Sequence, residues 1–288
     1  MHQFDYFSPT TITEAQEILE NKGSETKLLA GGTDLVLFMT EGHVKPPTIV
    51  NITGLEDLKG MQYDEATGLR IGPLTTMREI EQSPIVKDKY PALATSTLEL
   101  AGVQIRNMAT IGGNTCNASP AADTTPALMA LDAVAVLIGP NGERKVSYTD
   151  FFTGPGQTVM QTNELLAAIE LPPPPSNTGS HYIKLAVRRA MDIAIVGLGA
   201  SVTLADGVVQ DARITLGAVG PTVVRAIEAE EMLKGRTLKD STLDQVAKVA
   251  VTAGNPIDDV RASAEYRKMM IEVLTKRAVQ KAAQIAVN

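Results

Sequence analysis

A run of small residues at 110–123 is the stretch whose residue types and spacing best suit the binding of a cofactor. It reads Thr-Ile-Gly-Gly-Asn-Thr-Cys-Asn-Ala-Ser-Pro-Ala-Ala-Asp and precedes an apolar helix predicted over 124–131. Glycine lets main-chain N–H groups converge on a ligand without an intervening β-carbon. Peptide N–H groups at such a turn or at a helix start suit phosphate oxygens. An ordinary tight turn is the alternative, because Gly-Gly-Asn also forms one.

A second pair of glycines lies near the N-terminus. A predicted strand over 26–30 runs directly into Gly31, Gly32, Thr33 and Asp34, and a helix is predicted to begin at Leu35. The segment contains neither the G-x-G-x-x-G pattern of a dinucleotide fold nor the Gly-Lys-Ser/Thr of a P-loop. We therefore expect either a second phosphate-binding turn or a plain strand-to-helix connection in which Asp34 caps the helix.

Composition and charge exclude several classes of protein. The chain has 288 residues, 44% of them hydrophobic and 20% charged, which is typical of a globular protein with ample material for its cores. A formal charge of −7 argues against nucleic acid or an anionic membrane surface as partner. One cysteine and three histidines leave no disulfide and no metal-ligand cluster. With no signal region or membrane-spanning run, we expect a cytoplasmic protein.

The order of predicted elements indicates an α+β fold. Capping boxes at 11–14 and 76–79 predict helix starts, and an Ala/Leu-rich helix is predicted over 91–102. The proline run at 172–175 predicts a stiff connector between domains rather than a ligand for a proline-binding module. The further predicted strands are 48–52, 69–72, 133–138, 165–171, 182–189, 193–204 and 208–219. The further predicted helices are 221–234, 241–253 and 263–286.

Together these features resemble the FAD-binding subunit of the molybdenum hydroxylases, a family that includes xanthine, CO and nicotinate dehydrogenases. The resemblance covers essentially the whole chain. It rests on Leu-Ala-Gly-Gly-Thr-Asp-Leu at 29–35, on Thr-Ile-Gly-Gly-Asn at 110–114, and on Gln-Ile-Arg-Asn at 104–107. Phe-Phe-Thr-Gly-Pro-Gly at 151–156 and Arg-Arg-Ala-Met-Asp-Ile at 188–193 look closest to the flavin subunits of bacterial xanthine dehydrogenases.

The resemblance implies a fold with three parts. Two α/β lobes, residues 1–55 and 56–175, would form a split FAD-binding domain of the PCMH type. Residues 176–288 would form a C-terminal domain of the CO dehydrogenase flavoprotein type, with a three-stranded antiparallel sheet and helices.

The resemblance also implies roles for individual residues around FAD. Gly31, Gly32 and Thr33 would hold the pyrophosphate, with Asp34 turned away or capping its helix, while residues 110–114 would line the other side. Leu166 would pack on the adenine. The full implied set is Leu29, Ala30, Gly31, Gly32, Thr33, Asp34, Leu35, Thr110, Ile111, Gly112, Gly113, Asn114, Cys116, Asp123, Leu166, Lys184, Asp192 and Ile193.

Several of these residues carry an alternative. Asp123 would accept a hydrogen bond from the cofactor's sugar-side hydroxyls, or it caps the helix that follows. Lys184 would lie near the flavin ring, where a cation could steady the negative charge of a reduced flavin, or it is an ordinary edge-strand lysine. Asp192 and Ile193 fall in a loop over the flavin face, where some relatives carry an aromatic residue. Cys116 is expected to be a small buried hydrophobic residue rather than a nucleophile, because no histidine lies nearby in sequence.

The implied activity is that of an oxidoreductase subunit with no catalytic residue of its own and no bound metal. FAD would take electrons from [2Fe-2S] clusters in a small partner subunit and pass them to NAD+ or another acceptor. Those clusters would draw on a molybdenum cofactor in a large subunit, with a purine as the expected substrate, in a dimer of heterotrimers. The alternatives are the flavin subunit of a CO or nicotinate dehydrogenase, a stand-alone FAD reductase of related fold, and a flavin-free structural subunit.

Overall fold

The computed structural model describes residues 2–287. The strands are β1 Asp5–Phe7, β2 Lys27–Leu29, β3 Thr48–Asn51, β4 Met61–Asp64, β5 Gly68–Ile71, β6 Val134–Gly139, β7 Gly142–Ser147, β8 Phe152–Gly154, β9 Gln157–Thr158, β10 Leu165–Leu171, β11 Thr178–Leu185, β12 Val196–Ala205, β13 Val208–Gly217 and β14 Val224–Arg225. The helices are α1 Ile12–Lys22, α2 Leu35–Glu41, α3 Met77–Gln82, α4 Pro84–Lys89, α5 Pro91–Glu99, α6 Val103–Arg106, α7 Ile111–Asn117, α8 Thr124–Ala130, α9 Tyr148–Phe151, α10 Ile227–Leu233, α11 Asp240–Ala253 and α12 Ala264–Ala286.

The N-terminal part is built on a parallel sheet of order β1-β3-β2. Helix α1 begins where the sequence predicts, because the Thr11 side chain accepts the backbone N–H of Glu14 at 3.1 Å. Its apolar face is buried through Ala15 and Leu19. Strand β1 was not among the predicted strands; three residues with mostly exposed side chains carry too little pattern to reveal a strand.

The middle part is an antiparallel sheet of order β4-β5-β10-β6-β7. Helix α3 begins with a complete capping box, in which Thr76 and Glu79 each bond the other's backbone N–H. Leu165 and Leu74 of this part are buried in one hydrophobic cluster with Leu19 and Val50 of the N-terminal part. The first two sheets therefore share a core.

The C-terminal part has its own sheet, of order β11-β12-β13-β14, with α10, α11 and α12 packed against it. The three predicted strands are all present, and the two-residue strand β14 adds a fourth. The prediction that the first two strands extend over 186–189 and 193–195 is wrong. Asp192 accepts the backbone N–H of Arg188 at 2.8 Å, and this contact folds the connection into a loop.

Helix α8 joins the middle and C-terminal parts. It lies against β12 and β13 where Gly199 and Gly217 leave room, since a β-carbon on Gly217 would lie 2.7 Å from the Pro126 ring. The Thr215 hydroxyl donates to the Pro126 carbonyl at 2.7 Å. Every residue of α8 is buried, so the position of its N-terminal neighbour Asp123 is set by both parts.

Candidate cofactor site

The first diglycine segment, residues 29–35, leaves β2 and ends at the start of α2. The backbone N–H groups of residues 31–35 have no hydrogen-bond partner within residues 2–287. The first closed bond of the helix runs from the N–H of Val36 to the carbonyl of Gly32 at 3.0 Å. Gly32 has φ of 73°, the left-handed conformation that glycine adopts readily. A set of unpaired donors at a helix start is where anions bind in proteins.

The side chains of Thr33 and Asp34 make no hydrogen bond to the free N–H groups of this segment, within residues 2–287. Asp34 makes no capping hydrogen bond, so the interpretation of Asp34 as a helix cap is wrong. Its carboxylate instead accepts the Asn117 side-chain amide at 3.3 Å, and burial raises the pKa of Asp34. The Thr33 hydroxyl has no partner within the described residues 2–287. Asp34 therefore ties α2 to α7, while Thr33 stays available.

Gly31 is present because of a close approach between two chain segments. A β-carbon at Gly31 would overlap the carbonyl oxygen of Met108, which stands just before the second pair of glycines. This contact and the Asp34–Asn117 hydrogen bond bring the two Gly-Gly pairs side by side, as the resemblance implies.

The second diglycine segment, residues 110–114, forms the start of α7 and not a tight turn. Thr110 caps it, because its hydroxyl accepts the N–H of Gly113 at 3.1 Å. The N–H of Ile111 donates to the carbonyl of Thr75 at 3.0 Å and that of Gly112 to Pro73 at 2.8 Å. The N–H of Asn114 donates to Thr110 at 3.0 Å.

These four hydrogen bonds correct the prediction that backbone N–H groups of the second segment face a phosphate. All four donors are taken by the chain itself. Gly112 is packed against Pro73, which a β-carbon would overlap. At Gly113 a β-carbon would meet only the Thr110 hydroxyl at 3.0 Å and otherwise enters open space. This segment therefore offers a small, flat wall and not a set of donors.

Asp123 is held by two donors from β11. The Tyr182 hydroxyl donates to its Oδ1 at 2.8 Å, and Lys184 Nζ lies 2.8 Å from its Oδ2. Asp123 has helical backbone angles and makes no capping hydrogen bond, which excludes the alternative of a helix cap. Desolvation raises the pKa of Asp123, while the Lys184 charge and the Tyr182 hydroxyl act to lower it.

Lys184 is not a solvated edge-strand lysine, although β11 is an edge strand. Its side chain is only 5% exposed, and it also donates to the carbonyl of Glu99 at 3.1 Å, at the end of α5. The predicted helix over 91–102 ends there. Arg106 donates to the carbonyls of Leu100 and Ala101 and holds the chain in its turn toward α6.

A hydrogen bond connects the second diglycine segment to Asp123. The Thr124 hydroxyl donates to the Asn114 side-chain oxygen at 2.5 Å, so the wall of α7 and the start of α8 are adjacent. Contacts thus run without a break from Gly31 through α7 to Asp123 and Lys184.

The other implied residues lie at varying depth. Leu29 ends β2, Ala30 packs against the shared core, and Leu166 is 5% exposed opposite Leu137 in the antiparallel sheet. The adenine contact of Leu166 stays a prediction.

The loop over 186–195 carries Asp192 and Ile193. Ile193 is 48% exposed, and its N–H donates to the Asp192 carboxylate at 3.0 Å. Hydrogen bonds from the backbone N–H groups of Arg188 and Ile193 hold the pKa of Asp192 below its usual range. Met191, with φ of 54°, reaches Gly102, where a β-carbon would lie 3.5 Å from Met191 Sδ. The loop therefore rests on the turn between α5 and α6.

Cys116 is exposed, which corrects the expectation of a buried residue. Its Sγ lies 3.6 Å from Met160 Sδ, and desolvation by the surrounding protein raises the pKa of the thiol to about 12. At neutral pH the group is a thiol and a poor nucleophile, and its role beside the cofactor stays a prediction.

Sequence reasoning missed Tyr182 and Asn117. Tyr182 precedes Lys184 by two residues in a strand, so their side chains share a face, and this spacing was the available signal. Asn117 had no such signal, because its partner Asp34 lies 83 residues away.

Within residues 2–287 no group of three or more His, Cys, Asp or Glu side chains could hold a metal ion, and no helix is long and apolar enough to cross a membrane.

Comparisons with known proteins agree with this arrangement. Residues 2–174 match the family described as FAD binding domain in molybdopterin dehydrogenase, and residues 181–282 match the CO dehydrogenase flavoprotein C-terminal domain. The chain is 34% identical to the xanthine dehydrogenase FAD-binding subunit of Escherichia coli, over 98% of this chain and 96% of that protein. It is 35% identical to the carbon monoxide dehydrogenase medium chain of Afipia carboxidovorans, over 99% and 98%.

A solved structure extends the agreement to three dimensions. Carbon monoxide dehydrogenase from Hydrogenophaga pseudoflava superposes with a TM-score of 0.95 at 33% identity, over 99% of this chain and 98% of that one. The chain belongs to the family of FAD-binding oxidoreductase subunits of the molybdenum hydroxylases.

Proposed function

We propose that this chain holds FAD between the first diglycine segment, α7 and Asp123, and passes electrons within a xanthine dehydrogenase-type molybdenum hydroxylase. The observation that carries this proposal is the row of unpaired N–H groups at residues 31–35. Such a row fits a pyrophosphate, because its oxygens can accept hydrogen bonds from N–H groups that the chain itself leaves unpaired. FAD supplies the redox chemistry when it is bound.

The residues of this chain bind and orient the cofactor. Thr33 adds a free hydroxyl to the row of N–H groups. Gly113 keeps the wall of α7 low enough for a large ligand to approach, since nothing but Thr110 lies near its missing side chain. The Asp123 carboxylate accepts a sugar hydroxyl of the cofactor, and Lys184 places a cation beside it.

We propose three domains, residues 1–55, 56–175 and 176–288. The last boundary falls between the two family matches, which end at 174 and begin at 181. The shared hydrophobic cluster of Leu165 and Val50 means that the first two act as one folded body.

The proposed partners are a small subunit with [2Fe-2S] clusters, which delivers electrons, and a large subunit with the molybdenum cofactor. Relatives that match along nearly their whole length are named as a medium chain and an FAD-binding subunit, which supports a place in such a complex. NAD+ is the proposed acceptor and a purine the proposed substrate, in a dimer of heterotrimers. The flavin subunit of a CO dehydrogenase is the second candidate, because identity to that medium chain is equally high.

The test is an absorption spectrum of the native purified complex, with mass analysis of its subunits and metals. We expect a flavin absorption band at about 450 nm, together with iron and molybdenum in co-purifying chains. Flavin in a lone, metal-free chain would favour a stand-alone reductase. A colourless chain that takes up no added FAD would contradict the proposal.

A further inference from the structure

Tyr182 is a buried phenol with a specific hydrogen-bond partner. It is 1% exposed, and its hydroxyl donates to Asp123 Oδ1 at 2.8 Å. Its place depends on Gly197 of the neighbouring strand, where a β-carbon would lie 2.8 Å from the Tyr182 hydroxyl oxygen. Glycine at 197 therefore makes room for this hydroxyl.

The contact crosses from one part of the molecule to another. Asp123 stands at the start of α8, while Tyr182 and Lys184 belong to β11 of the C-terminal sheet. Each donor occupies a different carboxylate oxygen. An ionised carboxylate accepts at about four positions, so two remain for a ligand once the protein has made its own bonds.

Packing alone does not account for the phenol. A phenylalanine fills nearly the same space without a polar atom that needs a partner. Lys184 is also engaged elsewhere, because it donates to the carbonyl of Glu99. The only donor devoted to Asp123 is then Tyr182, within the described residues 2–287.

We propose that Tyr182 is a positioning residue for the cofactor: it fixes the Asp123 carboxylate and keeps it in the form that accepts a hydrogen bond from a cofactor hydroxyl. The proposal deepens the proposed function and rests on its placement of FAD beside Asp123. It makes the C-terminal sheet part of the binding site, through a residue that does not itself touch FAD.

A pH dependence follows from the charges around Asp123. The groups that act on it are Tyr182 and Lys184, which favour the ionised form, and Glu99, which opposes it. Burial already raises the pKa of Asp123, and loss of the Tyr182 hydroxyl raises it further. The ionised acceptor exists above this pKa, so FAD affinity is lost as pH falls through it. In Tyr182→Phe the loss therefore begins at a higher pH.

The experiment measures FAD affinity of the full-length apoprotein by flavin fluorescence across a pH series from about pH 5 to pH 9. Tyr182→Phe is compared with the unaltered chain and with Tyr90→Phe. Tyr90 is an equally buried phenol, and its hydroxyl donates to the carbonyl of Pro172, in contact with neither Asp123 nor Lys184. We expect the acid limb to move upward by about one pH unit in Tyr182→Phe, while Tyr90→Phe follows the pH profile of the unaltered chain.

Asp123→Asn provides the second comparison. An amide cannot titrate in this range, so Tyr182→Phe should add no pH shift in that background, as expected for residues that act as a unit. An unshifted acid limb in Tyr182→Phe, or an equal shift in Tyr90→Phe, overturns the inference while FAD binding by the unaltered chain still supports the proposed function. No FAD binding by the unaltered chain at any pH overturns both.

Discussion

The two diglycine segments share a Gly-Gly pair at the start of a helix but use their backbones in opposite ways. At 31–35 the N–H groups have no partner within the described chain, whereas at 111–114 each N–H is bonded to a carbonyl or to the Thr110 hydroxyl. The difference lies in the neighbours. Carbonyls of Pro73 and Thr75 accept hydrogen bonds from the second segment, whereas no backbone carbonyl within residues 2–287 accepts one from the N–H groups of residues 31–35. Two glycines in sequence thus indicate close approach without saying what approaches.

The glycines of the two segments also differ in what lies next to them. Gly31 and Gly112 are small because another part of the chain occupies the space, the Met108 carbonyl in one case and Pro73 in the other. Gly113 faces open space. Substitutions at these positions should therefore separate folding from cofactor binding.

The largest effect is expected from Gly31→Ala. The added methyl overlaps a backbone oxygen that cannot move without shifting the segment before α7, and we expect a loss of about 4 kcal/mol in the free energy of unfolding. Denaturant unfolding of the apoprotein measures it. Gly54→Ala is the matched control, because its β-carbon would lie 3.8 Å from the nearest atom, the Pro9 carbonyl oxygen. Equal stability of the two variants would mean that the two segments are not packed as described.

Gly113→Val should act on binding and leave folding nearly intact. The side chain extends into the space proposed for FAD, and we expect an affinity loss of about 100-fold, or ~2.8 kcal/mol. The apoprotein should lose no more than about 1 kcal/mol, since only the Thr110 hydroxyl must shift. Fluorescence titration with FAD, beside unfolding curves, checks both values. Retention of full FAD affinity would remove α7 from the site.

The smallest effects come from a pair of threonines that should behave in opposite ways. Thr110→Val removes the cap of α7 and should lower the free energy of unfolding by about 1 kcal/mol. Thr33→Val removes a hydroxyl without a partner among residues 2–287, so stability should not change, while FAD binding weakens about 10-fold. The same two measurements apply. If Thr33→Val destabilised the apoprotein instead, its hydroxyl would have a structural partner and no role toward a phosphate.

Much of the fold could be predicted because its signals are local. The capping box at Thr76 and Glu79 is confirmed, and β10 has the bounds that its apolar run predicted. The hairpin between β12 and β13 turns at Asp206 and Gly207, as that dipeptide indicates. These features depend on residues only a few positions apart.

The errors arose where a side-chain hydrogen bond or a distant carbonyl decides the local structure. Residues 186–189 and 193–195 were predicted as strand, yet the Asp192 side chain accepts the backbone N–H of Arg188 and closes the connection into a loop. The segment after Thr110 was predicted to present its amides to a phosphate, with a tight turn as the alternative, yet carbonyls of residues 73 and 75 accept its first two N–H groups.

The sequence by itself determined the family, the cofactor class and the approximate position of the three larger sheets, since patterns of glycine, capping and alternation are written in neighbouring residues. Only the tertiary structure decided which of the two segments keeps its donors free, that Lys184 is buried rather than solvated, and that Tyr182 bonds to Asp123. Each of these depends on atoms brought together from far apart in the chain, where a difference of one hydrogen bond separates a binding site from a packed interior.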